Sequence, residues 1–275
     1  MVMAFFQVTD MIKAIFFDCD GTLLSHRTNT VPASTIRALN LLRRKGILAV
    51  LSTGRHKSEL RELTPLAPLS FDAFITVNGA CTYTDTEVLS SVPISQRDAH
   101  AVYRFLQDHD LPVQCFLEED SFINTVNETV IHSQAMIHTP VPPIGDIRRI
   151  LEEPVYLMVP FGIAAAQSLV QTLQDVAVTR WNAHDAMDVV NRNAGKEQGM
   201  KAVMEHYGIQ REETMAFGDA MNDHTMLEAA GIGIAMGNSD REILELADYV
   251  TTDIEEDGIW NALKAFHVID EEDER

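Results

Sequence analysis

The sequence predicts an α/β protein, with a doubly wound, mostly parallel, Rossmann-like sheet and a second α/β domain inserted into it. Short apolar runs rich in β-branched and aromatic residues recur along the chain, and helical patterns alternate with several of them. Apolar residues on both faces of a strand are typical of a parallel sheet that helices cover on both sides. The middle of the chain breaks this alternation, which indicates the insert.

Six apolar runs are predicted to form the strands of this sheet. They lie at 12–17, 47–51, 73–77, 215–217, 232–236 and 249–251. Helices are predicted over 32–45, 198–207 and 223–230, followed by Gly46, Gly208 and Gly231. Glycine often ends a helix because it adopts the left-handed conformation without steric penalty. An open sheet of this kind places its functional groups at the carboxyl ends of its strands.

The middle of the chain is predicted to be a separate domain. Strand-like stretches at 113–117 and 155–159 lie among helical patterns at 96–108 and 163–174, with a proline-rich connector at 140–143. We therefore expect a core domain over 1–83 and 188–275, interrupted by an inserted α/β domain over 84–187.

Composition and charge restrict the partners. Of 275 residues, 46% are hydrophobic and 23% are charged, as in an ordinary globular protein. The formal net charge is -20, which repels the phosphate backbone of nucleic acids, so no nucleic-acid partner is expected. An acidic protein that acts on an anionic substrate needs local positive charge, which a divalent cation or a lysine can supply.

Cysteine usage and hydropathy favour a cytoplasmic protein. The three cysteines, Cys19, Cys81 and Cys115, form no CxxC pair, and an odd number argues against a disulfide framework. The chain contains no apolar run of membrane-spanning length, and its apolar start lacks the basic flank of a signal peptide. We expect no membrane partner, and a monomer or a homodimer.

The first predicted strand runs directly into Asp18 and Asp20. Residues two apart in an extended chain point the same way, so both carboxylates should face one site. Two like charges this close favour a bound cation or a shared proton, which is a functional arrangement more often than a structural one. The structural alternative is a turn in which both aspartates only cap the following loop.

Three further segments could bring polar groups to the same edge of the sheet. Thr53, Gly54 and Arg55 follow the second strand, Asn78 and Gly79 follow the third, and Lys196 precedes the helix after the insert. Each of these is weak alone, because strand-to-helix turns often have this composition and a single lysine is usually a solvated surface charge. A P-loop is excluded because Val190 and Glu197 stand where it needs a glycine and a hydroxyl.

The last cluster follows the fourth strand and contains Asp219, Asn222 and Asp223. Hard cations such as Mg²⁺ prefer carboxylate and carbonyl oxygens, and Asp219 with Asp18 would provide them from two strands. The alternative is a helix N-cap, in which Asn222 or Asp223 only starts the next helix. Both roles are compatible, because they use different residues.

Together, these motifs closely resemble the haloacid dehalogenase-like phosphatases, and within them the Cof-type sugar-phosphatase group. The resemblance covers the sheet domain and rests on Asp18-Cys19-Asp20-Gly21-Thr22, Ser52-Thr53-Gly54-Arg55, Lys196 and Gly218-Asp219-Ala220-Met221-Asn222-Asp223 in this order. It implies that 84–187 is the α/β cap domain of that group. One departure is Cys19, where the family often has an aliphatic residue, and we interpret it as a small packing residue.

The resemblance also implies a role for each site residue. Asp18 would be the nucleophile and Asp20 the general acid and base, while Thr53 and Lys196 would hold the transferring phosphoryl group. Mg²⁺ would bind Asp18, the backbone carbonyl of Asp20 and Asp219, with Asp223 in support. Substrate-binding roles are implied for Gly54, Arg55, Asn78, Gly79 and Asn222.

The predicted activity is hydrolysis of phosphate monoesters of small metabolites through an aspartyl-phosphate. Sugar phosphates are the first expectation, followed by flavin mononucleotide and pyridoxal phosphate. One alternative is a hexose phosphomutase of the same superfamily, which would want additional basic residues in the cap. Another is a non-catalytic protein that binds a phosphometabolite, although such a protein needs no nucleophile paired with an acid.

Overall fold

The computed structural model describes residues 11–136, 139–181 and 185–270, which form two compact units. Within the described residues, the first unit comprises 11–55, 61–90 and 195–270, and the second comprises 56–60 and 91–194. Among these residues, every helix falls short of the length and apolar character needed to cross a bilayer.

The first unit contains an eight-stranded sheet. Numbered in chain order through both units, its strands are β1 (Ala14–Asp18), β2 (Leu48–Ser52), β3 (Ala73–Thr76), β4 (Cys81–Tyr83), β5 (Val88–Ser91), β11 (Thr214–Gly218), β12 (Ile232–Ala235) and β13 (Tyr249–Val250). The strand order is β13-β12-β11-β1-β2-β3-β4-β5, and the six strands from β13 to β3 are parallel. Before the second unit, successive strands from β2 to β5 are added on one side of β1. After it, strands β11 to β13 are added on the other side. The carboxyl end of β1 is therefore a topological switch point, where open α/β sheets bind ligands.

Helices cover both faces of this sheet. They are α1 (Ala33–Lys45), α6 (Lys196–Tyr207), α7 (His224–Ala229), α8 (Arg241–Leu246) and α9 (Gly258–Ala265). Phe16 of β1 packs with Met200 of α6 and Met226 of α7 on one face. Because neighbouring residues of a strand point to opposite faces, Phe17 lies on the other face. Fully burying one such side chain contributes roughly 1.5–3 kcal/mol, so the central strands are held firmly between the layers.

The predicted fold class is confirmed, and all six predicted strands form within one or two residues of their expected bounds. The three predicted helices form as well, and α1 and α6 end at Gly46 and Gly208 in the left-handed conformation. Strands β4 and β5 were not predicted. They are short, and β4 pairs antiparallel with β3 through a tight turn that carries little periodic signal.

The second unit is built on an antiparallel sheet. Its strands are β6 (Val113–Phe116), β7 (Ser121–Ile123), β8 (Leu157–Pro160), β9 (Val176–Arg180) and β10 (Met187–Asn191), in the order β7-β6-β8-β10-β9. Its helices are α3 (Gln96–Asp108), α4 (Glu128–Met136) and α5 (Ile163–Val170). Val102 of α3 and Leu169 of α5 pack on Cys115, Met158 and Val189 of the sheet. This unit therefore has a hydrophobic core of its own.

The two units divide the chain differently from the predicted domain bounds. Residues 84–90 belong to the first unit because β4 and β5 extend its sheet, whereas β10 pairs with β8 and β9 in the second unit. Helix α2 (Lys57–Glu62) begins inside the short segment His56–Leu60, which also belongs to the second unit. His56 Nε2 donates a hydrogen bond of 2.6 Å to the carbonyl of Leu117 there. The inserted domain over 84–187 stays a prediction.

Asp188 in the second unit is a carboxyl group whose ionised form is disfavoured by burial. Asp188 of β10 accepts a hydrogen bond of 2.7 Å from Nε1 of Trp181. Burial raises the pKa of Asp188 from 3.8 to about 6, and the Trp181 hydrogen bond opposes this only in part. The folded state therefore binds the Asp188 proton more tightly than the unfolded chain does.

Replacing Asp188 with Asn should stabilise the protein in a pH-dependent way. In the wild type, the tighter binding of the Asp188 proton by the folded state stabilises it relative to the unfolded chain. This stabilisation is fully present below pH 3.8 and is lost as the pH rises through about 6. The advantage of Asp188→Asn should therefore grow between pH 4 and pH 7, to at most about 3 kcal/mol. Urea unfolding across this range measures it, with exposed Asp110→Asn as the control. A difference that does not change with pH would contradict the prediction.

Candidate active site

Two central strands bring a pair of carboxylates to the switch point. Asp18 is the last residue of β1, and Asp219 follows the last residue of the adjacent strand β11. The parallel register pairs Phe17 with Phe217, whose rings stack with centroids 5.2 Å apart. Because the strands are in register up to this point, the two aspartates leave the sheet side by side.

A buried lysine lies between two of the carboxylates. Lys196 is the first residue of α6, and its Nζ donates to Oδ1 of Asp18 at 2.5 Å and to Oδ1 of Asp223 at 2.6 Å. A third hydrogen bond of 3.2 Å goes to the backbone carbonyl of Ser52. Lys196 is 1% exposed, so all three bonds form away from water. Their geometry fixes the orientation of the Asp18 carboxylate.

The charges of this cluster do not balance. Asp18, Asp219 and Asp223 are all buried, and within the described residues their cluster contains three carboxylates and the ammonium of Lys196. Burial, Asp223 and Asp219 raise the pKa of Asp18, while Lys196 opposes them. Burial and Asp223 likewise raise the pKa of Asp219 to about 7. With all three carboxylates ionised, the cluster would carry two uncompensated negative charges.

Lys196 itself stays protonated. Burial alone would lower its pKa, but Asp18 and Asp223 raise it by more than burial lowers it. The lysine can therefore act as a fixed positive charge for an anionic group at this site.

The donor set fits a hard divalent cation. One carboxylate oxygen from each of Asp18, Asp219 and Asp223 lies within 4.8 Å of the others. A divalent cation would neutralise the two excess charges, and carboxylate oxygens are the ligands that Mg²⁺ prefers. Asp223 is already engaged, because Oδ1 accepts from Lys196 and Oδ2 accepts from the backbone N–H of Asp219 and of Ala220. Asp18 and Asp219 are therefore the better-placed ligands.

Gly21 leaves the space that Asp219 occupies. The φ of Gly21 is +92°, and a Cβ on this residue would lie 2.2 Å from Oδ2 of Asp219. Thr22 Oγ1 donates to Oδ1 of Asp219 at 2.9 Å. The loop after β1 therefore orients the carboxylate of Asp219 as well as presenting Asp20.

Asp20 is paired with Arg55. Nε and Nη2 of Arg55 donate to Oδ2 and Oδ1 of Asp20, each at 2.8 Å, which is the bidentate geometry of a strong ion pair. Each side chain is 30% exposed. The resemblance assigns Arg55 to the substrate, whereas in this structure its guanidinium orients the carboxylate that the resemblance assigns to proton transfer.

The loop after β2 continues the sheet edge next to Asp18. Thr53 is 1% exposed, and its backbone N–H donates to the carbonyl of Ile75 in β3 at 2.8 Å. Its Oγ1 accepts from the backbone N–H of Arg55 at 3.0 Å, which leaves the hydroxyl hydrogen available to a ligand.

The turn after β3 contacts the other loops of this edge. Nδ2 of Asn222 donates to Oδ1 of Asn78 at 3.1 Å. A Cβ on Gly54 would lie 3.3 Å from the amide nitrogen of Asn78, and a Cβ on Gly79 would lie 1.9 Å from the carbonyl oxygen of Gly195. The structure thus places all the predicted site residues at one edge of the sheet, and their individual roles stay predictions.

Two residues that the sequence analysis assigned no role also hold the site. Thr22 closes the motif Asp18-Cys19-Asp20-Gly21-Thr22, and a hydroxyl so close in sequence to two carboxylates could have indicated its contact with Asp219. Asn238 donates from Nδ2 to the carbonyl of Gly21 at 2.8 Å and accepts from the N–H of Ile254 at 3.0 Å. Its signal was its position shortly after strand β12, at the same edge of the sheet as Asp219.

Cys19 takes no part in this chemistry. It is fully buried, and burial followed by Asp20 and Asp18 raises the pKa of its thiol well above the usual value. A protonated, buried thiol is a poor nucleophile, which agrees with the interpretation of Cys19 as a packing residue.

Comparisons with known proteins identify the family of the chain. The sequence model of the haloacid dehalogenase-like hydrolases matches residues 15–263. The chain is 30% identical over 254 residues to the putative phosphatase YkrA of Bacillus subtilis (strain 168), covering 92% of this chain and 96% of that protein. It is 29% identical over 238 residues to the HMP-PP phosphatase of Cronobacter sakazakii (strain ATCC BAA-894), covering 83% and 85%. The structure of the subclass IIB sugar phosphatase BT4131 matches with a TM-score of 0.78 and 34% identity, over 94% of this chain and 100% of that one.

Removing the charge of Lys196 should destabilise the metal-free protein. Lys196→Met leaves Asp18 and Asp223 buried without their shared partner, and losing one member of a buried ion pair typically costs about 3–5 kcal/mol. Urea unfolding in EDTA measures the change. Lys201→Met, on the exposed side of the same helix, should change stability by no more than about 0.5 kcal/mol. Equal effects of the two substitutions would show that Lys196 is not essential to the cluster.

Proposed function

The chain belongs to the haloacid dehalogenase-like hydrolases, and on that premise we propose that it is a Mg²⁺-dependent phosphatase that works through an aspartyl-phosphate on Asp18. That the protein is a phosphatase follows from its relatives, which are named phosphatases over nearly the whole chain. The metal dependence, the covalent route and the substrate are our proposals. The observation that carries them is the Asp18 carboxylate, held by Lys196 beside Asp219 in a cluster with excess negative charge.

In the first step, an oxygen of Asp18 attacks phosphorus and the bond between phosphorus and the ester oxygen breaks. The leaving oxygen takes a proton from Asp20. In the second step, Asp20 removes a proton from water, which attacks the phosphorus of the aspartyl-phosphate. This attack releases inorganic phosphate and restores Asp18 as a carboxylate.

The surrounding residues support the charge on the transferring group. Lys196 is a fixed cation at hydrogen-bonding distance from the nucleophile, and Thr53 offers a hydroxyl from the adjacent strand end. A Mg²⁺ ion held by Asp18, the backbone carbonyl of Asp20 and Asp219 would supply the remaining positive charge. Phosphoryl transfer depends mainly on positioning and on electrostatic stabilisation, which these residues are arranged to provide.

The contact between Arg55 and Asp20 has to change before Asp20 can protonate the leaving oxygen. The bidentate pair occupies both carboxylate oxygens of Asp20, whereas proton transfer to the leaving oxygen needs one of these oxygens in contact with the substrate. We therefore propose that one Asp20 oxygen exchanges Arg55 for the leaving oxygen when substrate binds. Arg55 is then available to the substrate, as the resemblance implies.

Sugar phosphates are the proposed substrate class. The support is the likeness to a protein described as a sugar phosphatase, at 34% identity over 94% of this chain. Another relative is named for HMP-PP, so the panel to be tested should extend beyond sugars. Flavin mononucleotide and pyridoxal phosphate belong in that panel as the next expectations.

Asp18→Asn should abolish metal-dependent hydrolysis. We expect p-nitrophenyl phosphate turnover to require Mg²⁺, and Asp18→Asn to lower kcat by more than about 10³-fold, because the amide is no nucleophile for phosphorus. Released phosphate is measured with and without EDTA, with exposed Asp85→Asn as the control. The phosphomutase alternative predicts an isomer of a labelled hexose phosphate without free phosphate. Turnover that is unchanged both by EDTA and by Asp18→Asn would refute the proposal.

A further inference from the structure

The turn between β3 and β4 has an unusual backbone. Val77, Asn78 and Gly79 are consecutive and have φ of 52°, 50° and 89°, all in the left-handed region. Glycine and, less readily, asparagine tolerate this conformation, but for a β-branched residue such as Val77 it is a genuine outlier. A strained conformation persists only where the surroundings impose it, and such strain is concentrated at functional sites.

Hydrogen bonds from the loop after β2 hold this turn. The N–H of Val77 donates to the carbonyl of Arg55 at 3.1 Å, and the N–H of Asn78 donates to the carbonyl of Thr53 at 3.0 Å. The Val77 side chain is 1% exposed. These two hydrogen bonds and the buried Val77 side chain therefore fix the turn, which presents Gly79 in one position.

Gly79 faces the start of α6. A Cβ on Gly79 would lie 1.9 Å from the carbonyl oxygen of Gly195 and 3.0 Å from the backbone nitrogen of Lys196. One turn later, a Cβ on Gly199 would lie 2.5 Å from Cγ2 of Ile75 in β3. The first turn of α6 is thus seated on β3 and on its following turn at two glycines.

We propose that Gly79 and Gly199 are positioning residues that set the depth of the first turn of α6, and through it the place of the Lys196 ammonium between Asp18 and Asp223. The inference rests on the role proposed above for Lys196. A methyl group added at Gly79 would lie 1.9 Å from the Gly195 oxygen, and ordinary contact needs at least 3.4 Å. The first turn of α6 therefore has to move away by about 1.5 Å. Lys196 is the next residue in the chain after Gly195, so this displacement should lengthen its hydrogen bonds to Asp18 and Asp223.

The test compares two glycines that share a left-handed backbone. Gly79→Ala should lower kcat for p-nitrophenyl phosphate by about 10- to 100-fold, with KM changed less than threefold, because misplacing a catalytic group by about 1 Å has effects of this size. Gly208→Ala, at the other end of α6, has φ of +66° and nothing within 4 Å of the added Cβ. It should lose stability for the same backbone reason but keep its kcat.

Gly199→Ala is the second variant, and it keeps the test open if Gly79→Ala does not fold. Alanine is favoured over glycine inside a helix, which offsets part of the cost of the contact between the added Cβ and Ile75, so this protein should fold. Its kcat should nevertheless fall as that of Gly79→Ala does. A KM that rises tenfold at unchanged kcat would instead assign Gly79 to the substrate. A kcat for both variants equal to that of Gly208→Ala would overturn the proposal.

A measurement of stability separates this inference from the proposed activity. In EDTA, the change that Gly199→Ala causes in the urea midpoint should differ between the wild-type background and Lys196→Met, because the two residues act on the same contacts. Additive changes would contradict the positioning role, whether or not the protein hydrolyses phosphate esters. Absence of turnover in the wild type would reject the proposed function alone.

Discussion

The ammonium of Lys196 between the carboxylates of Asp18 and Asp223 is the interaction on which the rest of the site depends. It is buried, it compensates part of a large local negative charge, and it fixes the orientation of Asp18. The compensation is incomplete, since Asp219 lies in the same cluster. This excess negative charge supports the proposed binding of a divalent ion and, through that ion, of a phosphate ester.

The fold explains how residues so distant in sequence meet. Asp18 ends β1 and Asp219 follows the adjacent parallel strand β11 at the switch point, so the strand register decides the distance between their carboxylates. Lys196 arrives from a helix rather than from a strand, and its position depends on close packing of α6 against β3 at glycines. The hydrogen-bonded strands therefore place the carboxylates of Asp18 and Asp219. The position of Lys196 instead depends on Gly79 and Gly199, which have no side chain and let α6 approach β3 and the following turn closely.

Much of this was predictable from the sequence. The six parallel strands were evident because a strand buried on both faces gives a continuous apolar run, and the glycines after α1 and α6 ended helices as expected. Short antiparallel strands such as β4 gave no comparable signal. Contacts that depend on side-chain conformation were not predictable either: the Arg55 fork on Asp20, and Asp223 with both oxygens occupied. The left-handed Val77 contradicts local propensity and is explained only by tertiary contacts.

The balance of charge can be tested directly with Asp219→Asn, which retains an oxygen to accept the Thr22 hydroxyl but removes one buried charge. Urea unfolding at pH 8 should give opposite orders in two buffers. In EDTA, Asp219→Asn should be more stable than the wild type because it relieves uncompensated charge, whereas in saturating Mg²⁺ the wild type should be more stable because it binds the ion. The same order of stability in both buffers would contradict a divalent-cation site formed by Asp18 and Asp219.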